Sequence, residues 1–446
     1  MTRFDPSGPL RGSLRPPADK SISHRAALIA AMSEGSTRIE GYLDAADTNS
    51  TLAAVADLGA QLGRGETTAS VPPGGDLEAA RRALPGPGHE IRGVGLRGPG
   101  SAAIDVGNAG TLLRLLPGWL AGQEGGRWRL DGDDSIRRRP VDRVAEPLRR
   151  MGAELSCREE RLPPLEIAGA PLRGIEYELP VASAQVKSCL LFAGLLAEGE
   201  TRIVEPLPTR DHSERMLAAA GADVRREGDT VVIQPAERLE IAHIVVPGDL
   251  SSAAFFVVAA LLVGGSEVAI EGVGLNPTRT GLLAILERMG ASIETLPGTE
   301  RGGEPIGDLR VRPSALAATE VGGVEVPLAI DELPLVALAA CFAEGTTTIR
   351  DAAELRRKES DRIATVSAAL NALGGEVEAT ADGMVVTGTG GLRGGAVDSH
   401  GDHRIAMLGA VAGLASEDGV EVRGMEAAAV SYPGFEADLA SLLDPA

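Results

Sequence analysis

A chain of 446 residues is long for one hydrophobic core and comfortable for two domains. Its formal charge of −20 argues against nucleic acid and against anionic membrane surfaces, both of which need a basic stripe on the protein. Three widely separated cysteines, Cys157, Cys189 and Cys341, supply neither a disulfide framework nor a metal knuckle, and no apolar run approaches about 18 residues, so a cytoplasmic protein is expected.

The first predicted element runs from Asp19 to Met32 (DKSISHRAALIAAM), where charged and hydroxyl residues open onto a helix apolar on nearly every face. A glycine turn and a short alternating strand follow (EGSTRIEGY from Glu34), then a loop with Asp47, then a second helix ending at VADLGAQL from Val55. The same order repeats. The second copy has NAGTLLRLLPGWLAG from Asn108, GGRWRLDGD from Gly125, Arg137-Arg138-Arg139 in the loop and LRRMGAEL from Leu148. The third has SAQVKSCLLFAGLLA from Ser183, EGETRIVEP from Glu198, Arg210-Asp211-His212 and LAAAGADV from Leu217. SSAAFFVVAALLV from Ser251, GGSEVAIEG from Gly264, Arg279 and LERMGASI from Leu286 form the fourth. DELPLVALAACFA from Asp331, EGTTTIRDA from Glu344, the cluster Arg356 to Arg362 and LNALGGEV from Leu370 form the fifth. The sixth reads DHRIAMLGAVAGLA from Asp402, DGVEVRGME from Asp418, Ser431 and a last helix, GFEADLASLLDPA.

In five copies the second helix ends on a glycine leading into another alternating stretch, as a left-handed cap before a strand requires. Six units of about 65 to 90 residues are βαβ-type modules that pack on their neighbours, three to a domain. Pro16-Pro17 and Val246-Pro247-Gly248 are the expected crossings. A buried helix N-terminus needs partners for its free N–H groups, and several such ends facing one place make an anion site.

The charge clusters share one register of the unit. Basic residues are almost all arginine, and only Lys20, Lys187 and Lys358 are lysine. A compact ammonium suits both proton transfer and phosphate binding, and for Lys187 a local structural partner and a ligand are equally open. Lys358 and Arg362, four apart, would share a helix face as like charges with an anion between them. Glu359 and Asp331 are the candidate carboxylates for acid–base work. Ser399 to Arg404 offers two histidines and an aspartate, too few ligands for a metal, and no P-loop or dinucleotide fingerprint occurs.

At DKSISHR, NAGT, RRP, SAQVK, RDHSE, NPTR, IDE, RRKESDR and GDHRIAM, in this order across nearly the whole chain, the sequence resembles the 5-enolpyruvylshikimate-3-phosphate synthase family of enolpyruvyl transferases. The resemblance implies an α/β two-domain enolpyruvyl transferase fold, each domain three βαβαββ repeats around buried helices, an inside-out α/β barrel. Residues 20–246 would form one domain, and 1–19 with 247–446 a discontinuous second.

The implied reaction moves the enolpyruvyl group of phosphoenolpyruvate onto the 5-hydroxyl of shikimate 3-phosphate, with no cofactor and no metal. By motif matching, Lys20, Ser21, Arg25, Ser183, Ala184, Gln185, Asp331 and Lys358 would hold shikimate 3-phosphate. Lys20, Gly110, Arg139, Gln185, Arg362 and Arg404 would hold phosphoenolpyruvate. Asp331 would be the base toward the 5-hydroxyl and Glu359 the proton donor and acceptor at the methylene carbon, with Lys20 assisting. The family analogy suggests a monomer without nucleic-acid or membrane partners.

SAQVK, RDHSE and NPTR look like the class II, glyphosate-tolerant type, although Gly110 stands where tolerant members often carry Ala and Val430 where the sensitive class has Lys. Two alternatives share parts of this pattern. A UDP-N-acetylglucosamine enolpyruvyl transferase usually has a reactive cysteine in a mobile loop, and none of the three cysteines lies in a charged loop. A non-catalytic anion-binding relative would have lost Lys20, Asp331 and Glu359, and all three are present.

Overall fold

The computed structural model describes residues 1–64 and 88–443. These form two compact units, one of residues 18–247 with 300–304 and the other of residues 1–17, 248–299 and 305–446 as far as they are described. Residues 300–304 are the tip of a hairpin between the strands Ser292–Arg301 and Glu304–Arg312, and they group with the first unit. The sequence-based boundaries assigned them to the other.

Six small mixed sheets account for the described strands. In each of the first unit's sheets the repeated strand lies beside a parallel edge strand and an antiparallel neighbour. Ser36–Glu40 pairs in parallel with His243–Val245, Arg127–Asp131 with Ala102–Asp105, and Thr201–Val204 with Glu176–Glu178. The fourth sheet takes its parallel edge from Arg11–Leu14, laid against Glu267–Gly274, and the fifth pairs Thr346–Ile349 with Glu320–Val321. The sixth has three strands: Val420–Arg423 lies parallel to Gly395–Asp398 and antiparallel to Thr2–Phe4. Both N-terminal strands therefore serve sheets of the C-terminal half.

The turn chemistry read from the sequence is present in the backbone. Gly59, Gly152, Gly221, Gly290 and Gly374, each just past a second helix, have φ between 92° and 106°. A Cβ there would be strained, which is why glycine ends those helices and releases the chain into the next strand.

The first helices of the six copies are the cores of the two units. Lys20–Met32, Gly110–Ala121 and Ala184–Gly194 pack in one; Leu250–Leu262, Leu333–Cys341 and His403–Ala415 pack in the other, with apolar side chains buried on nearly all faces. Gly118 shows how close they come: a Cβ there would meet the carbonyl oxygen of Cys189 at 2.0 Å. Only a residue without a side chain allows that approach. Burial of whole helices leaves only their N-terminal turns to carry polar chemistry, and four of them are capped by side chains. Asp19, Ser183, Asp249 and Asp402 accept from the backbone N–H of Ile22, Val186, Ser251 and Arg404, each cap contributing about 1 kcal/mol.

Candidate active site

In the first unit the three helix N-termini are joined by side chains. Lys20 is the first residue of its helix, and its Nζ lies 3.0 Å from Oδ2 of Asp47. One turn on, Arg25 is 2% exposed, and its guanidinium donates to Ser213 Oγ at 2.8 Å, Ser188 Oγ at 3.0 Å and the Ser21 carbonyl at 2.9 Å. Burial pushes this group down to about 10, and the like charge of Arg210 adds to the effect.

Gly110 opens the second helix under two arginines. A Cβ at that position would lie 2.9 Å from Arg139 Nη1 and 3.3 Å from Arg114 Nη1. Arg139 Nη2 donates to Asn108 Oδ1 at 3.0 Å, and Arg114 Nη1 to Gln185 Oε1 at 3.0 Å, while Gln185 Nε2 donates to Thr111 Oγ1 at 3.1 Å. Gln185 thus locks the start of the third helix, capped by Ser183 and begun by Ala184, to the start of the second. Two guanidiniums beside a bare backbone at a helix start form a cradle for carboxylate or phosphate oxygens.

The second unit has a denser network. Arg362, 1% exposed at its side chain, reaches three carboxylates: Asp402 at 2.8 Å, Asp331 at 3.2 Å and Glu359 at 2.6 Å. Burial alone acts against its charge, but Glu359 and Asp402 more than offset this, and the guanidinium is held well above the usual arginine range. Burial likewise acts to raise Asp402, and Arg362 holds it below the usual carboxylate range. Lys358 Nζ lies 3.0 Å from Asp331 Oδ1.

Arg404 donates to the Asp331 carbonyl at 2.8 Å and to the Ser251 hydroxyl, which in turn donates to Glu332. Arg279 closes the chain, 3.1 Å from Asp249 and 3.5 Å from Glu332. Here too three helix starts, near Asp249, Glu332 and Asp402, share one charged cluster.

Several sequence expectations change at this level. Lys358 is not on a helix face with Arg362. A turn of 3-10 helix, Ala353–Arg357, ends just before it, and the next helix, Arg362–Ala372, starts four residues later behind the Asp361 cap. The anion between the two cations is a carboxylate of the chain itself, Asp331. Lys187, left open between partner and ligand, is fully buried between Glu205 at 3.0 Å and Glu214 at 2.6 Å, which gives it a structural role. Among the described residues no group of histidines, cysteines and acids could hold a metal, and Asp402 is committed to Arg362.

Sequence reasoning placed Asp47 in the charged register without a partner, and it gave no role to Arg114, Glu332 or Ser251. Arg114 could have been found, because it follows Gly110 by four residues and so shares its helix face. Glu332 and Ser251 meet only through tertiary packing.

The sequence profile of the family described as EPSP synthase (3-phosphoshikimate 1-carboxyvinyltransferase) matches residues 4–85 and 89–439. A 3-phosphoshikimate 1-carboxyvinyltransferase from Synechococcus sp. (strain RCC307) is 49% identical over 443 residues, covering 98% of this chain and 97% of the relative. One from Geobacter sulfurreducens is 49% identical over 438 residues, with 97% and 96% covered. A solved EPSP synthase structure from Acinetobacter baumannii superposes with a TM-score of 0.84 at 40% identity, over 99% of this chain and 97% of that one. Among the described residues no helix is long and apolar enough to cross a membrane.

Proposed function

The chain belongs to the EPSP synthase family and is a 3-phosphoshikimate 1-carboxyvinyltransferase of the shikimate pathway, and from that premise we propose how its residues divide the work. The enzyme transfers the enolpyruvyl group of phosphoenolpyruvate to the 5-hydroxyl of shikimate 3-phosphate and releases phosphate.

In this reading Lys20, Ser21, Arg25, Ser183, Ala184, Gln185, Asp331 and Lys358 hold shikimate 3-phosphate. Lys20, Gly110, Arg139, Gln185, Arg362 and Arg404 hold phosphoenolpyruvate, and Arg114 joins them because it shares the Gly110 cradle. Asp331 takes the proton of the 5-hydroxyl as its oxygen attacks C2 of phosphoenolpyruvate, while Glu359 delivers a proton to the methylene carbon. The tetrahedral adduct then collapses: Glu359 removes a proton from the new methyl group, the C–O bond to phosphate breaks, the enol ether double bond forms, and the proton taken up by Asp331 leaves with the phosphate.

The observation that carries this assignment is the grouping of Asp331, Glu359 and Lys358 on or beside one buried guanidinium, Arg362. Such a set holds two carboxylates in fixed places next to cations that suit the substrate's charge. The test is phosphate release with both substrates present and each omitted in turn. Glu359→Gln should retain shikimate 3-phosphate binding and lose kcat by about 10²-fold or more, the usual worth of a general acid–base group. A variant with kcat within about threefold of the parent would remove Glu359 from the chemistry.

The SAQVK, RDHSE and NPTR stretches support assignment to the class II type, and with it intermediate or greater glyphosate tolerance, in a monomeric cytoplasmic enzyme. Inhibition assayed at near-saturating phosphoenolpyruvate decides the tolerance. Complete loss of activity at low micromolar glyphosate would contradict it.

A further inference from the structure

Arg25 differs from the other buried arginines of the molecule in what surrounds it. Its three hydrogen bonds all go to neutral oxygens, and among the described residues no carboxylate lies within ion-pair distance of its guanidinium. A buried cation is costly unless its N–H groups are satisfied, and here two serine hydroxyls do this without supplying charge.

The directions of these bonds can be worked out. Ser188 Oγ donates its one proton to the Ala184 carbonyl at 2.6 Å. In its 2.7 Å contact with Ser213 Oγ it must therefore accept, so Ser213 is the donor there. Both hydroxyls then turn lone pairs toward Arg25, at Nε and Nη2.

The two serines are held at that spacing by the residues next to them. Lys187 precedes Ser188, Glu214 follows Ser213, and the buried Lys187–Glu214 pair at 2.6 Å fixes the first turn of Ala184–Gly194 against that of His212–Ala219.

We infer that Ser188 and Ser213 are positioning residues for the reaction: they orient the Arg25 fork through neutral acceptors, so that no carboxylate is bonded to it and it stays available to the anionic acceptor substrate. A carboxylate in either place would hold the fork equally well and compete with the substrate for it. The inference rests on the reading of Arg25 as a shikimate 3-phosphate ligand and extends it to two residues that touch no substrate. SAQVK, with the serine that follows it, and RDHSE each provide one hydroxyl and one half of the ion pair.

The test is steady-state kinetics of the full chain with each substrate varied at saturating levels of the other, alongside melting temperatures. Ser188→Ala and Ser213→Ala should each raise KM for shikimate 3-phosphate by about tenfold, the usual worth of a hydrogen bond to a charged group, with kcat and KM for phosphoenolpyruvate within about twofold. Ser213→Thr, which keeps the hydroxyl, should restore most of the affinity. Ser213→Cys keeps the volume with a weaker acceptor and should shift KM in the same direction, which covers an alanine variant that does not fold.

Arg25→Lys is measured in parallel. If it raises KM for shikimate 3-phosphate and the serine variants do not, the positioning role is overturned and the ligand reading stands. If Arg25→Lys leaves that KM unchanged, the ligand reading fails. Serine variants that depress kcat and weaken both substrates alike would show a merely structural role and would equally overturn the inference.

Discussion

Arg25 and Arg362 are both buried guanidiniums, and the contrast between their partners sets the electrostatics of the two units. Arg362 is paired with three carboxylates, whereas Arg25 is hydrogen-bonded to two hydroxyls and a carbonyl. In the first case carboxylates of the chain fix the guanidinium in place, with Lys358 and Arg404 at the edge of the same cluster. Gly110 gives a test at the same scale. The Cβ of Gly110→Ala would displace the flexible end of Arg139 rather than any backbone, so the fold should tolerate it with a melting temperature within about 3 °C of the parent. Moving an anion-holding fork by a fraction of an ångström is a different matter. KM for phosphoenolpyruvate should rise by roughly ten- to a hundredfold, measured at saturating shikimate 3-phosphate, and an unchanged KM would remove Arg139 from that site.

At the scale of elements, His24 ties two helices together. Its Nδ1 lies 2.6 Å from Thr51 Oγ1, joining Lys20–Met32 to Ala46–Asp57, and the ring is fully buried. Burial drives this imidazole from 6.5 down to about 3; Asp47 opposes the shift, and the nearby cations Lys20 and Arg25 favour it. Between these two values the unfolded chain binds a proton that the folded chain refuses, so stability falls as pH drops through that window, at up to about 1.4 kcal/mol per unit. Denaturant unfolding at pH 7 and pH 5 should show this loss, and His24→Gln, which can keep a bond to Thr51, should show a smaller one. Equal pH slopes in the two proteins would count against a neutral buried His24. Elements of this kind were the most legible part of the sequence, because their causes are local. The αL glycines, the alternating strands and the apolar helices each announce themselves within ten or so residues, and so did Lys20 and Gly110 at the starts of theirs. Ser251, Glu332 and Arg279 were not legible as a network, since they come from two separate copies and meet only once the helices have packed. The pairing of Lys358 with Asp331 was hidden for a related reason: a 3-10 turn, invisible in a spacing argument, takes Lys358 off the helix.

For the whole molecule the acid excess outweighs any single ion pair. A formal charge of −20 places like charges over a surface whose paired residues are mostly exposed, and the resulting self-repulsion weakens the compact state. Raising KCl from about 0.1 to 1 M shortens the screening length from about 10 to 3 Å, so the melting temperature should increase by a few degrees. A decrease would show that surface ion pairs, such as Arg312–Glu267, together exceed the repulsion. The strand order of the sheets was the other feature hidden from the sequence, for a repeat reveals its own period and not which edge its neighbours fill. That order has a consequence for how the protein is made. Thr2–Phe4 and Arg11–Leu14 leave the ribosome well before their partners, Val420–Arg423 and Glu267–Gly274. At about 5 to 20 residues per second, the first strand waits roughly 20 to 80 seconds for its partner to be synthesised. Through that interval Thr2–Phe4 has no sheet to join, and a segment translated about 400 residues later decides when it folds.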